Sequence, residues 1–553
     1  MDNKAVGRKI IIVGGVAGGA SAAARLRRLD ETARIILLER GEYISFANCG
    51  LPYYIGGDIS ARERLILQTP QSFAERFNIE VRTGEEAISI DRLAKTLKIK
   101  KNGAEYTENY DRLILSPGAA PIIPPLAGLN SARVFTLRTV PDADRLKTYI
   151  AEQSPRSAVI IGGGYIGIEL ADNLRRSGLE VSIIEMSEQI VAPFDYELAC
   201  VLHQHLRRNG VKLLLKNSVT AVQENASGLT LDLSAGKLSA DLLILAIGVR
   251  PESALARTAG LMLNERGCII VNENLQTSDP DIYAVGDAVE TVNFVSGQKS
   301  FIPLAGPANK QGRIAADNIC GLDSRYRGTQ GSSILSVLGL TAGATGLNEK
   351  TARQLQLNYE KIFIYAADHA AYYPGAETML IKILFAGDSG KILGAQIVGK
   401  SGVDKRLDVL ATAIRAGMTA FDLAELELCY APPYSSAKDP VNMAGFVAEN
   451  ILTGKMRQFH WHEADSLPRD GSVTLLDVRD AKEYAAGSLA GFVNIPLNDL
   501  RRRLPELNKR QPVYIICAVG LRGYLAARIL SQNGFEAFNL SGGYNLYQTI
   551  LGG

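Results

Sequence analysis

Two glycine-rich turns, each set between an apolar strand and a helical pattern, constrain this chain more than any other feature. The run Lys9–Val13 leads directly into Gly14-Gly-Val-Ala-Gly-Gly19, and Ala20–Leu29 then reads as a helix. The next apolar run, Ala33–Leu38, ends in Glu39. The layout repeats: Ala158–Ile161 leads to Gly162-Gly-Gly-Tyr-Ile-Gly167, Glu169 lies in the following helix, and Glu180–Ile184 ends in Glu185. Glycine permits a tight turn against a pyrophosphate, the helix N-terminus attracts that anion, and an acid ending the second strand accepts from ribose hydroxyls. Val16 takes the middle glycine position of the first turn, whereas the second is a full G-x-G-x-x-G. Two such turns predict two dinucleotide-binding units of Rossmann type.

The rest of the chain needs further cores, because 553 residues exceed what one core supports. Lys and Arg number 60 against 58 Asp and Glu, so bulk charge favours neither nucleic acid nor a membrane surface. No apolar run reaches the roughly 18 residues of a spanning helix, and Met1–Lys9 has no signal-peptide apolar region. Six cysteines lack paired spacings, which argues against a disulfide framework and a structural zinc site. A reducing, cytoplasmic setting is expected, with no metal.

Three further segments run from apolar strand to small-residue turn: Tyr110–Ala119, Leu242–Pro251 and Thr277–Asp287. With the two glycine turns they resemble the flavoprotein disulfide reductases that hold FAD in one unit and a nicotinamide nucleotide in the other. That resemblance implies FAD contacts from Gly14, Gly15, Ala17, Gly19, Glu39, Arg40, Ser116 and Gly118, with Asp287 at the ribityl chain. It implies NADH contacts from Gly162, Gly164, Gly167, Glu169 and Glu185. Glu185 would repel a 2′-phosphate and Met186-Ser187 supply no arginine, so NADH is favoured over NADPH.

Cys49 stands in Ser45-Phe-Ala-Asn-Cys-Gly-Leu-Pro-Tyr-Tyr54, and the next cysteine is Cys200. A lone cysteine can attack an S–S bond and hold the product as a mixed disulfide, provided a helix N-terminus favours its thiolate. The string resembles the coenzyme A-disulfide reductase branch. By that resemblance coenzyme A is substrate or tightly bound ligand. Ser21, Arg25 and Arg28 on the first helix grip it, Ser45 and Asn48 flank the nucleophile, and Lys438 helps. One lysine of the family is replaced here, with Phe77 in its place and Arg76 adjacent. Residues 331–452 resemble the family's dimerisation domain, so a homodimer is implied. Its segments Ala371–Gly375 and Cys429–Lys438 would carry Tyr372 and Tyr430 to the partner's Cys49.

After a linker around Gly454–Gln458 a fresh α/β pattern begins at His460. Val473–Arg479, Glu483-Tyr484 and Phe492–Pro496 precede the apolar run Pro512–Ile516, the loop Cys517-Ala-Val-Gly-Leu-Arg522 and the helical pattern Gly523–Leu530. A short loop of this kind turns backbone N–H groups inward and holds a thiolate with its cargo. The arrangement resembles a rhodanese domain, with Cys517 as sulfur carrier and Arg522 closing the loop. Ser488–Gly491 replaces the usual H-I-P-G. His460 and His462 read as interdomain packing or surface residues; Cys200, Cys268, Cys320 and Cys429 carry no assignment.

The expected architecture is α/β: two Rossmann-like dinucleotide-binding domains, an α+β dimerisation domain and a C-terminal α/β rhodanese domain. FAD binding falls to residues 1–150 and 276–330, NADH binding to 151–275, dimerisation to 331–452, the linker to 453–459 and the rhodanese domain to 460–553. The expected activity is NADH-driven reduction of coenzyme A persulfide, polysulfide or related S–S bonds, releasing hydrosulfide. The alternatives are coenzyme A-disulfide reduction for thiol homeostasis, an NADH oxidase or peroxidase, and a redox-sensing sulfur-carrier interaction protein.

Overall fold

The computed structural model describes residues 7–552, so the reading of Met1–Lys9 lies mostly outside the described residues. The chain forms two compact units, residues 1–188 with 211–331, and residues 189–210 with 332–553. Among the described residues no helix is long and apolar enough to cross a membrane.

The first unit holds two parallel five-stranded sheets. In one, β1 (Lys9–Val13) lies between β2 (Arg34–Glu39) and Arg112–Leu115, with Ile282–Ala284 and Glu80–Thr83 at the edges. Ile10, Ile11 and Ile12 are wholly buried, as a strand covered on both faces requires. Gly14 then turns with φ +99°; a Cβ there would lie 2.0 Å from the Ser116 carbonyl oxygen. Helix α1 (Gly18–Leu29) follows, and the short helix α2 (Leu51–Gly56) comes after the cysteine segment.

The second sheet repeats the device. Strand β3 (Ser157–Ile161) pairs with β4 (Glu180–Ile184) and Leu242–Leu245, and helix α3 (Tyr165–Arg176) starts at the glycine turn. Helix α4 (Ala305–Ile319) returns to pack on α1. The two come so close that a Cβ on Gly312 would sit 2.2 Å from the Gly18 carbonyl oxygen.

The second unit combines an antiparallel and a parallel sheet. The antiparallel one runs Ser333–Val337, Leu340–Gly346, Ile392–Gly399, Thr378–Ala386, Tyr359–Ala367. In the parallel one, β5 (Thr474–Asp477) and β6 (Val513–Ile516) are central, flanked by Val493–Asn494 on one side. On the other side lie Ala537–Leu540 and Arg457–Phe459. Residues 457–459, read from sequence as linker, are therefore an edge strand of the C-terminal domain, in register with Phe538–Leu540.

This domain is fastened to the antiparallel sheet through buried charge. Lys382, fully buried, contacts Asp195 at 2.9 Å, Glu197 at 3.1 Å and Glu349 at 2.8 Å, and Lys361 contacts Glu349 at 2.7 Å. Trp461 Nε1 donates to the same Glu197 at 3.0 Å, and Gln458 Nε2 donates to the Lys361 carbonyl at 2.8 Å. Charges removed from water persist only when paired and hydrogen-bonded in this way. His460 packs on the Phe363 ring, centroids 6.4 Å apart, and burial pushes its imidazole down to about 3. It serves interdomain packing.

Candidate functional site

The two glycine turns present their acids alike. Glu39 accepts from the Gly15 N–H at 2.9 Å and the Gly41 N–H at 2.8 Å; Glu185 accepts from Gly163 at 2.9 Å and from the Ser187 N–H at 2.9 Å. Gly19 and Gly167 face Gly14 and Gly162 so closely that a Cβ would lie 1.9 and 2.2 Å from the carbonyl oxygens. Around Gly164, the N-cap of α3, a Cβ would meet nothing within 4 Å, which leaves room for a phosphate at that helix end. Ala17 caps α1 with φ 35°, and Gly118 turns with φ +75° after Ser116. These residues fit two dinucleotides. Arg40 is paired with Glu252 at 2.6 Å.

Asp287 sits in the turn Gly286–Ala288, where burial pushes its carboxyl up and Arg138, 3.8 Å away, pulls it down. Gln311 of α4 anchors that turn by accepting from the Gly286 N–H at 2.7 Å. Beside the second turn, Lys216 donates its N–H to the Ser187 carbonyl at 2.9 Å, and its ammonium lies 3.5 Å from Glu188. Sequence reading missed Arg138, Gln311 and Lys216, since none lies in a motif.

The cysteine segment is tied to the first glycine turn by the Ser45 N–H, which donates to the Gly15 carbonyl at 2.8 Å. Ser45 itself is left-handed, φ 44°. Cys49 lies in the 3₁₀ turn Asn48–Gly50 and is exposed, while Asn48 Nδ2 donates to the Arg138 carbonyl at 2.9 Å. The expected thiolate-favouring field is outweighed in the protein's own groups. Desolvation by the surrounding walls, then Glu169, then Asp287 push the thiol up, and Arg138 opposes them. The helix ahead, α2, is six residues long and its dipole is correspondingly short. Glu169 is pushed up to about 7 by burial, and it accepts from the Tyr53 hydroxyl of α2 at 3.1 Å. Tyr53 lies within the quoted cysteine segment, but its partner Glu169 sits in the second unit's motif and nothing in the sequence joins the two.

The positions implied for coenzyme A are partly engaged. Ser21 Oγ donates to Asn309 of α4, and Arg25 Nε donates to Asp317 at 2.7 Å. Arg28 is exposed on the same helix, and Phe77 packs edge-on against Phe73. In the second unit, Tyr372 and Tyr430 share a hydroxyl–hydroxyl hydrogen bond of 2.8 Å while 75% and 49% exposed; Lys438 is exposed nearby in sequence. The loops carrying them are fastened from beneath by buried Arg406. It donates to the Asp368 carbonyl at 2.7 Å, Ser435 Oγ at 3.1 Å and Asp439 Oδ2 at 3.0 Å.

At the C-terminal ends of β5 and β6, helix α5 (Ala481–Ala485) and helix α6 (Leu521–Gln532) enclose the second cysteine. Cys517 is buried, and its Sγ accepts from the Gly520 N–H at 3.1 Å. Gly520 has φ +99°, which lets the loop fold back on the sulfur. Asn539 Nδ2 holds the Gly520 carbonyl at 3.0 Å. Arg522 closes the loop, but its fork is spent on Glu483 at 2.6 and 2.7 Å, which holds that carboxyl down at about 2.

Family models match all three parts: pyridine nucleotide-disulphide oxidoreductase over residues 8–312, its dimerisation domain over 334–440, and a rhodanese-like domain over 460–549. The chain is 33% identical to a coenzyme A disulfide reductase of Staphylococcus haemolyticus, over 80% of this chain and 100% of the relative. Among solved structures, reduced CoADR-RHD of Bacillus anthracis is 52% identical with a TM-score of 0.97, covering 99% of this chain and 98% of that one. A NAD-dependent persulfide reductase from A. fulgidus is 38% identical with a TM-score of 0.91, covering 97% and 99%.

Proposed function

The chain belongs to the pyridine nucleotide-disulphide oxidoreductase family, and on that premise we propose that it reduces coenzyme A persulfide and related S–S bonds with NADH. FAD is assigned to residues 1–150 and 276–330, NADH to 151–275, and a homodimer to the domain at 331–452. When bound, FAD and NADH supply the electron pair that S–S cleavage consumes. The observation that carries the reading is the Ser45–Gly15 hydrogen bond, which seats the Cys49 segment against the first dinucleotide turn.

Cys49 thiolate attacks one sulfur of the substrate; the S–S bond breaks, hydrosulfide or coenzyme A thiolate leaves with the electron pair, and the other half stays on Cys49 as a mixed disulfide. Arg138 is the cation that opposes the raised thiol at that step. Tyr372 and Tyr430, joined at their hydroxyls, are assigned to proton donation toward the leaving sulfur across the dimer. Cys517 is assigned as a sulfur carrier that hands sulfur to coenzyme A or to Cys49. Ser21, Arg25, Arg28, Ser45, Asn48 and Lys438 are assigned to coenzyme A.

Side-by-side steady-state turnover with coenzyme A persulfide, coenzyme A disulfide, polysulfide, oxygen and peroxide tests the reading. The persulfide is expected to give the highest kcat/KM; a lead for oxygen or peroxide would overturn it. NADH is expected to exceed NADPH by about 10–100-fold in kcat/KM, because Glu185 accepts from a 2′-hydroxyl and repels a phosphate. Parity would place Lys216 at the phosphate instead.

A further inference from the structure

The arginine that closes the Cys517 loop is neutralised by acids of the facing helix. Both terminal nitrogens of Arg522 are engaged by the two oxygens of Glu483, with Asp480 a further 3.5 Å from Nη1. Arg479, a second guanidinium at this end of the sheet, is buried and spent on Asp477 at 2.7 Å and on the Gly487 carbonyl at 2.6 Å. Lys482 of α5 is exposed to solvent. Between Cys517 and Arg522 the side chains are those of alanine, valine and leucine only, apart from Gly520. Leu521 and Leu525, one turn apart on α6, are 57% and 43% exposed at the loop's helical side. A doubly charged oxyanion binds through charge-assisted hydrogen bonds, and the loop offers no unspent guanidinium for one.

We infer that this site exchanges sulfur with alkyl persulfides and thiols, whose carbon end is uncharged near the sulfur, and discriminates against thiosulfate. The inference rests on Cys517 being the sulfur carrier and names its substrate class. Cys517 thiolate attacks the outer sulfur of R–S–SH. The S–S bond between that sulfur and the inner one breaks, RS⁻ leaves with the electron pair, and Cys517 carries –S–SH. No oxidant or reductant is consumed. The leucines cover the alkyl chain next to the reacting sulfur, while the Gly520 N–H holds Sγ. In the reverse direction the same surface receives an alkyl thiol as sulfur acceptor.

The full-length protein, without NADH, is mixed with an alkyl persulfide or with thiosulfate. The gain of one sulfur atom on the Cys517 peptide is followed by mass spectrometry. The persulfide is expected to load Cys517 at least about tenfold faster, the worth of one charge-assisted contact that thiosulfate lacks. Leu521→Arg is expected to raise the thiosulfate rate relative to the persulfide rate by about tenfold, and Glu483→Gln, which frees Arg522, to move the ratio in the same direction. Equal loading by the two donors, or ratios unmoved in both variants, overturns the inference and leaves the sulfur carrier standing. No gain at Cys517 from either donor overturns both.

Discussion

Cys49 and Cys517 hold their sulfur in opposite ways. Around Cys517 the contacts are short-range: strand, loop and helix are consecutive, the donor to Sγ is three residues on, and the thiol is buried. Around Cys49 the neighbours come from distant segments, Arg138, Glu169 and Asp287, and the thiol is exposed. At the first site backbone geometry does the holding; at the second, side-chain charges do, and two of the three disfavour the thiolate. A site of the first kind accepts and stores sulfur. One of the second kind is tunable, because each charged neighbour can gain or lose a proton or a partner during turnover.

The largest expected effect separates the two sulfurs outright. Cys49→Ser is expected to lower S–S reduction by at least about 10³-fold while the protein stays yellow and still reacts with NADH. Full turnover of coenzyme A persulfide by this variant would erase the distinction. Cys517→Ser is expected to leave reduction of preformed coenzyme A persulfide within about twofold and to abolish sulfur loading of the C-terminal domain. Loss of every reductive activity would instead merge the two centres.

A smaller effect probes the charges around Cys49. Glu169→Gln removes a carboxylate that raises the thiol, so the pH at which Cys49 becomes alkylated by iodoacetamide is expected to fall, by less than about one unit. The same substitution has a stability signature. A carboxyl raised from 4.5 to about 7 binds its proton more tightly folded than unfolded, so stability falls as pH rises between those values and is level above them. In Glu169→Gln that fall, up to about 3 kcal/mol, is expected to vanish from the Tm-against-pH curve. An unchanged curve would show that Glu169 ionises as freely folded as unfolded.

The same contrast explains what could be read from sequence. The glycine turns, Glu39, Glu185 and the loop from Cys517 to Arg522 are legible because their chemistry lies within a few consecutive residues whose spacing the strand and helix fix. Arg138 follows a two-residue strand and carries no pattern; only the fold brings it to Asp287 and Asn48. Arg406 is hidden for the same reason, as an arginine in an ordinary amphipathic helix that turns out to be 1% exposed. Residues 457–459 looked like linker because Arg457-Gln458 is polar and its strand partner comes from near the other end of the domain. The loop's arginine was legible, whereas its engagement by Glu483 was not, since that depends on how α5 faces α6.

Glu197 has a consequence for how such a chain can change over generations. It is shared between Lys382 of the antiparallel sheet and Trp461 of the C-terminal domain. A descendant that lost the last hundred or so residues would therefore lose more than a sulfur handler. It would uncover a carboxylate and two lysines that had been sealed from water, with the donors from Trp461 and Gln458 gone. The appended domain has become part of its host's interior, so the fusion is easier to inherit whole than to undo.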